Sequence, residues 1–168
     1  MEPVLTDILC TRCGLCCDGS LFADVELASQ AEATRLEVMG LEIEDDDASH
    51  LLVLPCRALQ GTRCSIYAHR PRCCRTFECH LLQNVRQGTV GVDRAAALIA
   101  ETRGRIARVK ELLTDLEPRP SRLPLAERCA EVLTEEAGSS PEAIRKHAEL
   151  KAAMSATEDL IRKTFLGG

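Results

Sequence analysis

The chain has 168 residues, 45% of them hydrophobic and 28% charged, which excludes a disordered polypeptide. Its aromatic content is three Phe and one Tyr with no Trp, so the core has to be built mainly from Leu, Ala, Val and Ile. The net charge of -5 is unevenly spread: residues 1–55 carry -10, residues 56–86 carry +5 and residues 87–168 balance at zero. A basic stretch often signals a nucleic-acid site. Here it consists of Arg57, Arg63, Arg70, Arg72, Arg75 and Arg86, without Lys, and is threaded with cysteines. The arginines suit the offset of thiolate charge better than a polyanion, and no nucleic-acid partner is expected.

No apolar run approaches the roughly 20 residues of a membrane-spanning helix. The opening MEPVLTDILCTRC lacks the basic region and apolar stretch of a secretory signal. The expectation is a cytoplasmic chain with no membrane partner.

Residues 21–27 alternate well enough to read as a short strand. Ser29 and Glu32 form a capping box, in which both side chains satisfy free N–H groups at a helix start. That helix should run to Met39 and stop at Gly40. Glu44–Asp47 reads as a solvated turn, His50–Leu54 as a short strand ended by Pro55, and Gly61 as a turn. Pro71 suits the first turn of a helix over parts of 72–87, closing at Gly88. From Asp93, a suitable N-cap, a helical stripe runs through Ala95, Leu98, Ile99, Thr102, Ile106, Val109, Leu113 and Leu116. Pro118, Pro120 and Pro124 break it. A second helix is expected over about 125–137. After Gly138-Ser139-Ser140-Pro141 a third should place Ile144, His147, Leu150, Met154, Ile161 and Phe165 on one side.

Ten cysteines in such a chain is the extreme feature. Cys10, Cys13, Cys16 and Cys17 form C-x2-C-x2-C-C, and the triple within it is the spacing that holds three corners of a [4Fe–4S] cluster in bacterial ferredoxins. Disulfides are rare in a reducing compartment. Buried thiols suit isolated cysteines but not clusters. Metal ligation is therefore the leading expectation, since two thiolates about 4 Å apart repel by ~4 kcal/mol at an effective dielectric of 20. Adjacent Cys16 and Cys17 point in different directions, which suggests two centres or a spare. Cys129 sits among Leu125, Val132 and Leu133 at helical spacing and reads as core. Setting aside Cys129 and the ambiguous Cys73 leaves eight: Cys10, Cys13, Cys16, Cys17, Cys56, Cys64, Cys74 and Cys79.

The stretch from Cys64 to Phe77 reads C-x-I-Y-x-x-R-P-x-x-C-R-x-F. With C-x2-C-G-x-C-C at 10–17 it resembles the CxxCxxCC cysteine-cluster family, the YkgJ-type zinc- or iron-chelating domain, over residues 8 to about 88. The resemblance implies those same eight cysteines as metal ligands, with Cys73 at a variable position and Cys129 outside. It implies a bound metal or iron–sulfur centre whose role is usually unassigned. Longer flagellin lysine methylases are among the relatives, although the helical half here carries no methylase signature.

The expected architecture is mainly α with a small irregular β element. A compact cysteine-rich metal-binding module at 1–88 would precede a helical region at 89–168 packed on it. The expected function is a metal-binding cysteine-cluster protein holding an iron–sulfur cluster such as [4Fe–4S], or Zn2+, in a structural, sensory or redox role. The alternative is an enzyme, either an iron–sulfur oxidoreductase or a protein-lysine methylase-like activity. His69 and His80 are alternative ligands. Arg70 and Arg75 are expected to donate hydrogen bonds to sulfurs or carboxylates, and Tyr67 and Phe77 to pack over the site. The helical half offers a surface for a protein partner. No H-E-x-x-H, Gly-rich phosphate loop or G-x-S-x-G is present, so catalytic residues stay unassigned. Cys73, between Arg72 and Arg75, would have a lowered pKa, which keeps cysteine nucleophilic catalysis as a minor alternative.

Overall fold

The computed structural model describes residues 5–46, 48–135, 138 and 140–168. The chain is mainly helical with two short antiparallel sheets, and it divides into two compact units, Met1–Glu78 and Cys79–Gly168.

The first unit opens with helix α1 (Leu5–Cys13), followed by strand β1 (Asp24–Glu26) and helix α2 (Gln30–Val38). Ser29 caps α2 as expected: its Oγ accepts the Glu32 N–H at 3.3 Å. The return bond of the capping box goes one residue further back, from the Ala28 N–H to the Glu32 carboxylate at 3.1 Å. Gly40, at φ +86°, ends the helix. The Leu41 N–H then reaches the Leu36 carbonyl and the Gly40 N–H the Glu37 carbonyl, which satisfies two orphan acceptors.

Strands β2 (Ile43–Asp46) and β3 (Ser49–Val53) form a hairpin, and β3 is the centre of a sheet ordered β1-β3-β2. The turn expected at Glu44–Asp47 is thus a strand over its first three residues, while Asp47 lies outside the described residues. Backbone pairing with β3 overrides the acidic composition, because the carboxylates face solvent while the main chain is satisfied. Asp45 sits opposite His50, and their side chains meet at 2.5 Å.

Strands β4 (Leu59–Gln60) and β5 (Arg63–Cys64) form a second hairpin across Gly61-Thr62. A 3-10 turn at Tyr67–His69 leads to the short helix α3 (Arg72–Thr76). Besides the buried Leu9, Leu15 and Leu54, the unit has a core cluster of Leu27, Ala33, Leu36, Leu41, Leu52 and Ala58. Cys56, Cys64, Ile66, Cys73 and Cys74 pack against it, so sulfur serves here as core material.

The single helix expected within 72–87 is broken at Phe77–Cys79, and its second part, α4 (His80–Arg86), opens the second unit. Helices α5 (Val92–Leu116), α6 (Leu125–Thr134) and α7 (Pro141–Ile161) follow, with the last turn widening to a π turn at Arg162–Leu166. Gly91, not Asp93, caps α5. The α5 stripe buries Ala95, Ile99, Thr102, Ile106, Val109, Leu112 and Leu113. Helix α6 ends at Thr134, and Glu136, Ala137 and Ser139 lie outside the described residues. On α7, Leu150, Met154, Thr157 and Ile161 are buried, whereas Ile144 is 54% exposed.

Candidate functional site: a thiol cluster in the first unit

None of the ten cysteines, all among the described residues, is in a disulfide. Cys10 and Cys13 lie on α1, three residues apart and so on one helix face, with Cys13 buried. After Cys13 the chain turns at Gly14, whose φ is +71° and whose carbonyl accepts the N–H groups of Cys17 and Asp18. A Cβ at Gly14 would stand 3.1 Å from the Thr62 Cα. The Thr62 hydroxyl donates to the Thr11 carbonyl at 2.7 Å. Glycine is therefore required both for the turn and for the approach of the β4–β5 loop.

That approach brings the Cys16–Cys17 turn to the segment after β3. The Cys56 N–H donates to the Cys17 carbonyl at 2.8 Å. The sulfurs of Cys17, Cys56 and Cys64 lie in one another's field, and Cys74 on α3 lies in the field of Cys17 and Cys56. Burial pushes the Cys17 thiol up to about 12, and the neighbouring sulfurs and Asp18 act in the same direction, with Arg70 opposing. The Cys56 thiol is also raised by burial, partly offset by the N–H groups of Ala58 and Leu59.

Helix α3 is held by Glu32, whose second carboxylate oxygen accepts the Arg72 N–H at 2.8 Å and stands 3.7 Å from Arg35. Its two adjacent thiols act on one another, which lowers the Cys73 pKa and raises that of Cys74. The capping box announced Glu32 as a helix-start residue, but its latch onto α3, forty positions away, has no sequence signal.

Arg70 stacks on the Tyr67 ring, 3.6 Å from its centroid, and donates to the Tyr67 carbonyl at 3.0 Å. It reaches the thiols through its charge on Cys17. Tyr67 is 36% exposed and Phe77 44%, with Phe77 edge-on to Phe22 at 5.3 Å. Neither ring is buried, so the expected pair of water-excluding covers is half open. His69 is exposed. Cys79 and His80 belong to the second unit, where the His80 ring lies against Gly167. Cys129 is buried within α6, its thiol pushed up to about 11 by burial first and by Glu158.

The site is thus that of a small, mainly helical protein with a cluster of reduced cysteines. Residues 9–109 match the CxxCxxCC family, described as "Putative zinc- or iron-chelating domain", and the chain belongs to that family. No curated protein and no solved structure matches it.

The expectation of a metal-binding cluster is corrected by the geometry. Among the described residues, no group of three or more His, Cys, Asp or Glu side chains is placed so as to hold a metal ion. The iron–sulfur or Zn2+ site expected of Cys10, Cys13, Cys16, Cys17, Cys56, Cys64, Cys74 and Cys79 is therefore not found among the described residues. The metal falls away as cofactor and partner, and the iron–sulfur oxidoreductase falls with it. One physical reason lies in α1. A C-x2-C-x2-C triple converges on one point when its backbone loops around that point. Here Cys10 and Cys13 are taken into a helix and Cys16 into the turn beyond it.

Proposed function

We propose that the first unit is a thiol–disulfide module, a set of reduced cysteines that closes an internal disulfide on meeting an oxidant and reopens on reduction. The observation that carries this reading is the junction of Cys17 and Cys56, hydrogen-bonded through their backbones, with their sulfurs in one another's field. The backbone hydrogen bond between them brings the two residues into the proximity that a disulfide, with Cα atoms about 4.4–6.8 Å apart, requires.

Two thiols give up two electrons and two protons as the S–S bond forms. A small-molecule disulfide of the glutathione class accepts them and leaves as two thiols. The bond would close a loop of about 40 residues, stabilising the unit by roughly 4 kcal/mol in the chain-entropy account. Burial keeps Cys17 and Cys56 protonated at neutral pH, so closure is slow until an oxidant is abundant, as suits a sensor better than a fast oxidoreductase. A reducing compartment, the cytoplasm, is where resting thiols of this kind stay free.

Exposure of the reduced protein to glutathione disulfide, then alkylation and peptide mapping, tests the reading. The expected product is a Cys17–Cys56 linked peptide that dithiothreitol returns to two thiols. Both cysteines still fully alkylated after prolonged oxidation, or pairs scattered over all the cysteines, would overturn it.

A further inference from the structure

The first unit carries its aromatic side chains on the outside. Of the four aromatic residues in the chain, Phe165 alone is buried in a core. Tyr67 and Phe77 are exposed and Phe22 is half-buried. These three flank α3. Tyr67 precedes it on the 3-10 turn, with Arg70 stacked on its ring. Phe77 closes it, with its N–H donating to the Cys73 carbonyl at 3.0 Å and its ring edge-on to Phe22. Between these ends the helix is two-sided. Cys73 and Cys74 pack against the core cluster, whereas Arg72 and Arg75, three residues apart and so on one face, are exposed.

The strip is fixed in place, since Pro71 is fully buried and Glu32 accepts the Arg72 N–H. A surface ordered before its ligand arrives loses little entropy on binding. Its arginines are also available. Arg35 and Arg57 pair with Glu32 and Glu42, but Arg70, Arg72 and Arg75 have no ion pair among the described residues. Exposed aromatic rings beside arginines are the composition of a binding hot spot, and the positive charge selects a negative occupant.

Two observations favour a peptide over a nucleic acid. Arg70 covers one face of Tyr67, and Phe22 and Phe77 meet at 87°, so the strip lacks flat open rings for successive bases. The charge of -10 on residues 1–55 also repels a long polyanion, while a short segment meets the strip alone. Helix α3 has five residues and is about 7.5 Å long, so an extended segment of about five residues, at ~3.3 Å each, reaches past both its ends.

We propose that the outer face of α3 is a docking strip for a short acidic segment of a partner protein. Carboxylates of that segment meet Arg72 and Arg75 through charge-assisted hydrogen bonds, and large apolar side chains rest on Tyr67 and Phe77. This goes beyond the thiol–disulfide reading and uses neither Cys17 nor Cys56.

The test follows the fluorescence anisotropy of labelled hexapeptides added to the full, reduced chain at low salt. One probe has leucine and phenylalanine at its centre with two acidic residues on each side, and the other has two lysines on each side instead. Saturable binding of the acidic probe alone is expected. Arg72→Glu together with Arg75→Glu should weaken it about tenfold or more and confer binding of the lysine probe. Phe77→Ala should weaken it about fivefold, and it decides by itself if circular dichroism shows the charge-reversed chain to be unfolded. Arg94→Glu with Arg122→Glu makes the same change of net charge at exposed positions of the second unit and should leave binding unaltered. Equal loss in both double variants, no effect of Phe77→Ala, an acidic probe bound no better than the lysine probe, or tighter binding of a short oligothymidine would overturn the proposal.

Discussion

The two units solve the same problem, a core without aromatic bulk, in opposite ways. The second lays long amphipathic helices together, and α5 alone buries seven residues along one stripe. The first has strands of two to five residues, and cysteine side chains pack against its cluster of six buried apolar residues. A free thiol packs as a small hydrophobe, so the first unit gains apolar volume and at the same time places oxidisable sulfur against its core. The second unit has one buried thiol of this kind, Cys129 on α6. What the difference teaches is that cysteine sulfur is part of the packing around the core cluster of one unit, while the other builds its core from amphipathic helices.

The strongest way to break the contrast is to hollow each core in turn. Leu36→Ala in α2 and Leu113→Ala in α5 each remove a fully buried leucine, and each should cost about 2–5 kcal/mol in urea unfolding. Thiol counting with a bulky reagent should then separate them. Leu36→Ala exposes Cys56, Cys73 and Cys74, whereas Leu113→Ala leaves their reactivity unchanged. Equal exposure in both variants would mean that the sulfurs do not depend on the first unit's own core.

Next in size is the latch. Glu32→Ala removes the acceptor for the Ala28 and Arg72 N–H groups. Hydrogen bonds to a charged group contribute roughly 1.5–3 kcal/mol. The variant should lose stability within that range and raise the alkylation rate of Cys74, because α3 is no longer tied to α2. Unchanged alkylation would show that the latch does not hold α3.

The sulfurs should also make the first unit the more alkali-sensitive. Cys17 is raised from the ordinary 9.0 to about 12, so the folded state keeps a proton that the unfolded state has lost. Its contribution is fully present below pH 9.0 and is lost as pH rises from there through about 12. Cys17→Ala should flatten the decline of stability over that interval, as followed by circular dichroism in urea at stepped pH. A Cys129→Ala variant should change only the part below about pH 11.

The smallest expected effect concerns metal. Prolonged dialysis against a chelator should leave helicity and thiol reactivity unaltered. Release of stoichiometric zinc or iron together with loss of the first unit's structure would restore chelation as the role of the cysteines.

Much of this protein was legible from residue order alone. Ser29, Glu32 and Gly40 delimit α2, and the apolar period marks α5, because capping and periodicity act over a few neighbouring residues. Cys129 was recognisable as core for the same reason. The eight-cysteine metal site was not decided at that level. Spacing says which sulfurs are able to converge, but whether Cys10 and Cys13 loop around a centre or lie on a helix depends on what α1 packs against. Glu44–Asp46 became a strand only because β3 was there to pair with it. The bond from Cys56 to Cys17 and the hold of Glu32 on α3 join positions about forty residues apart, and contacts at that range exist only once the chain has folded.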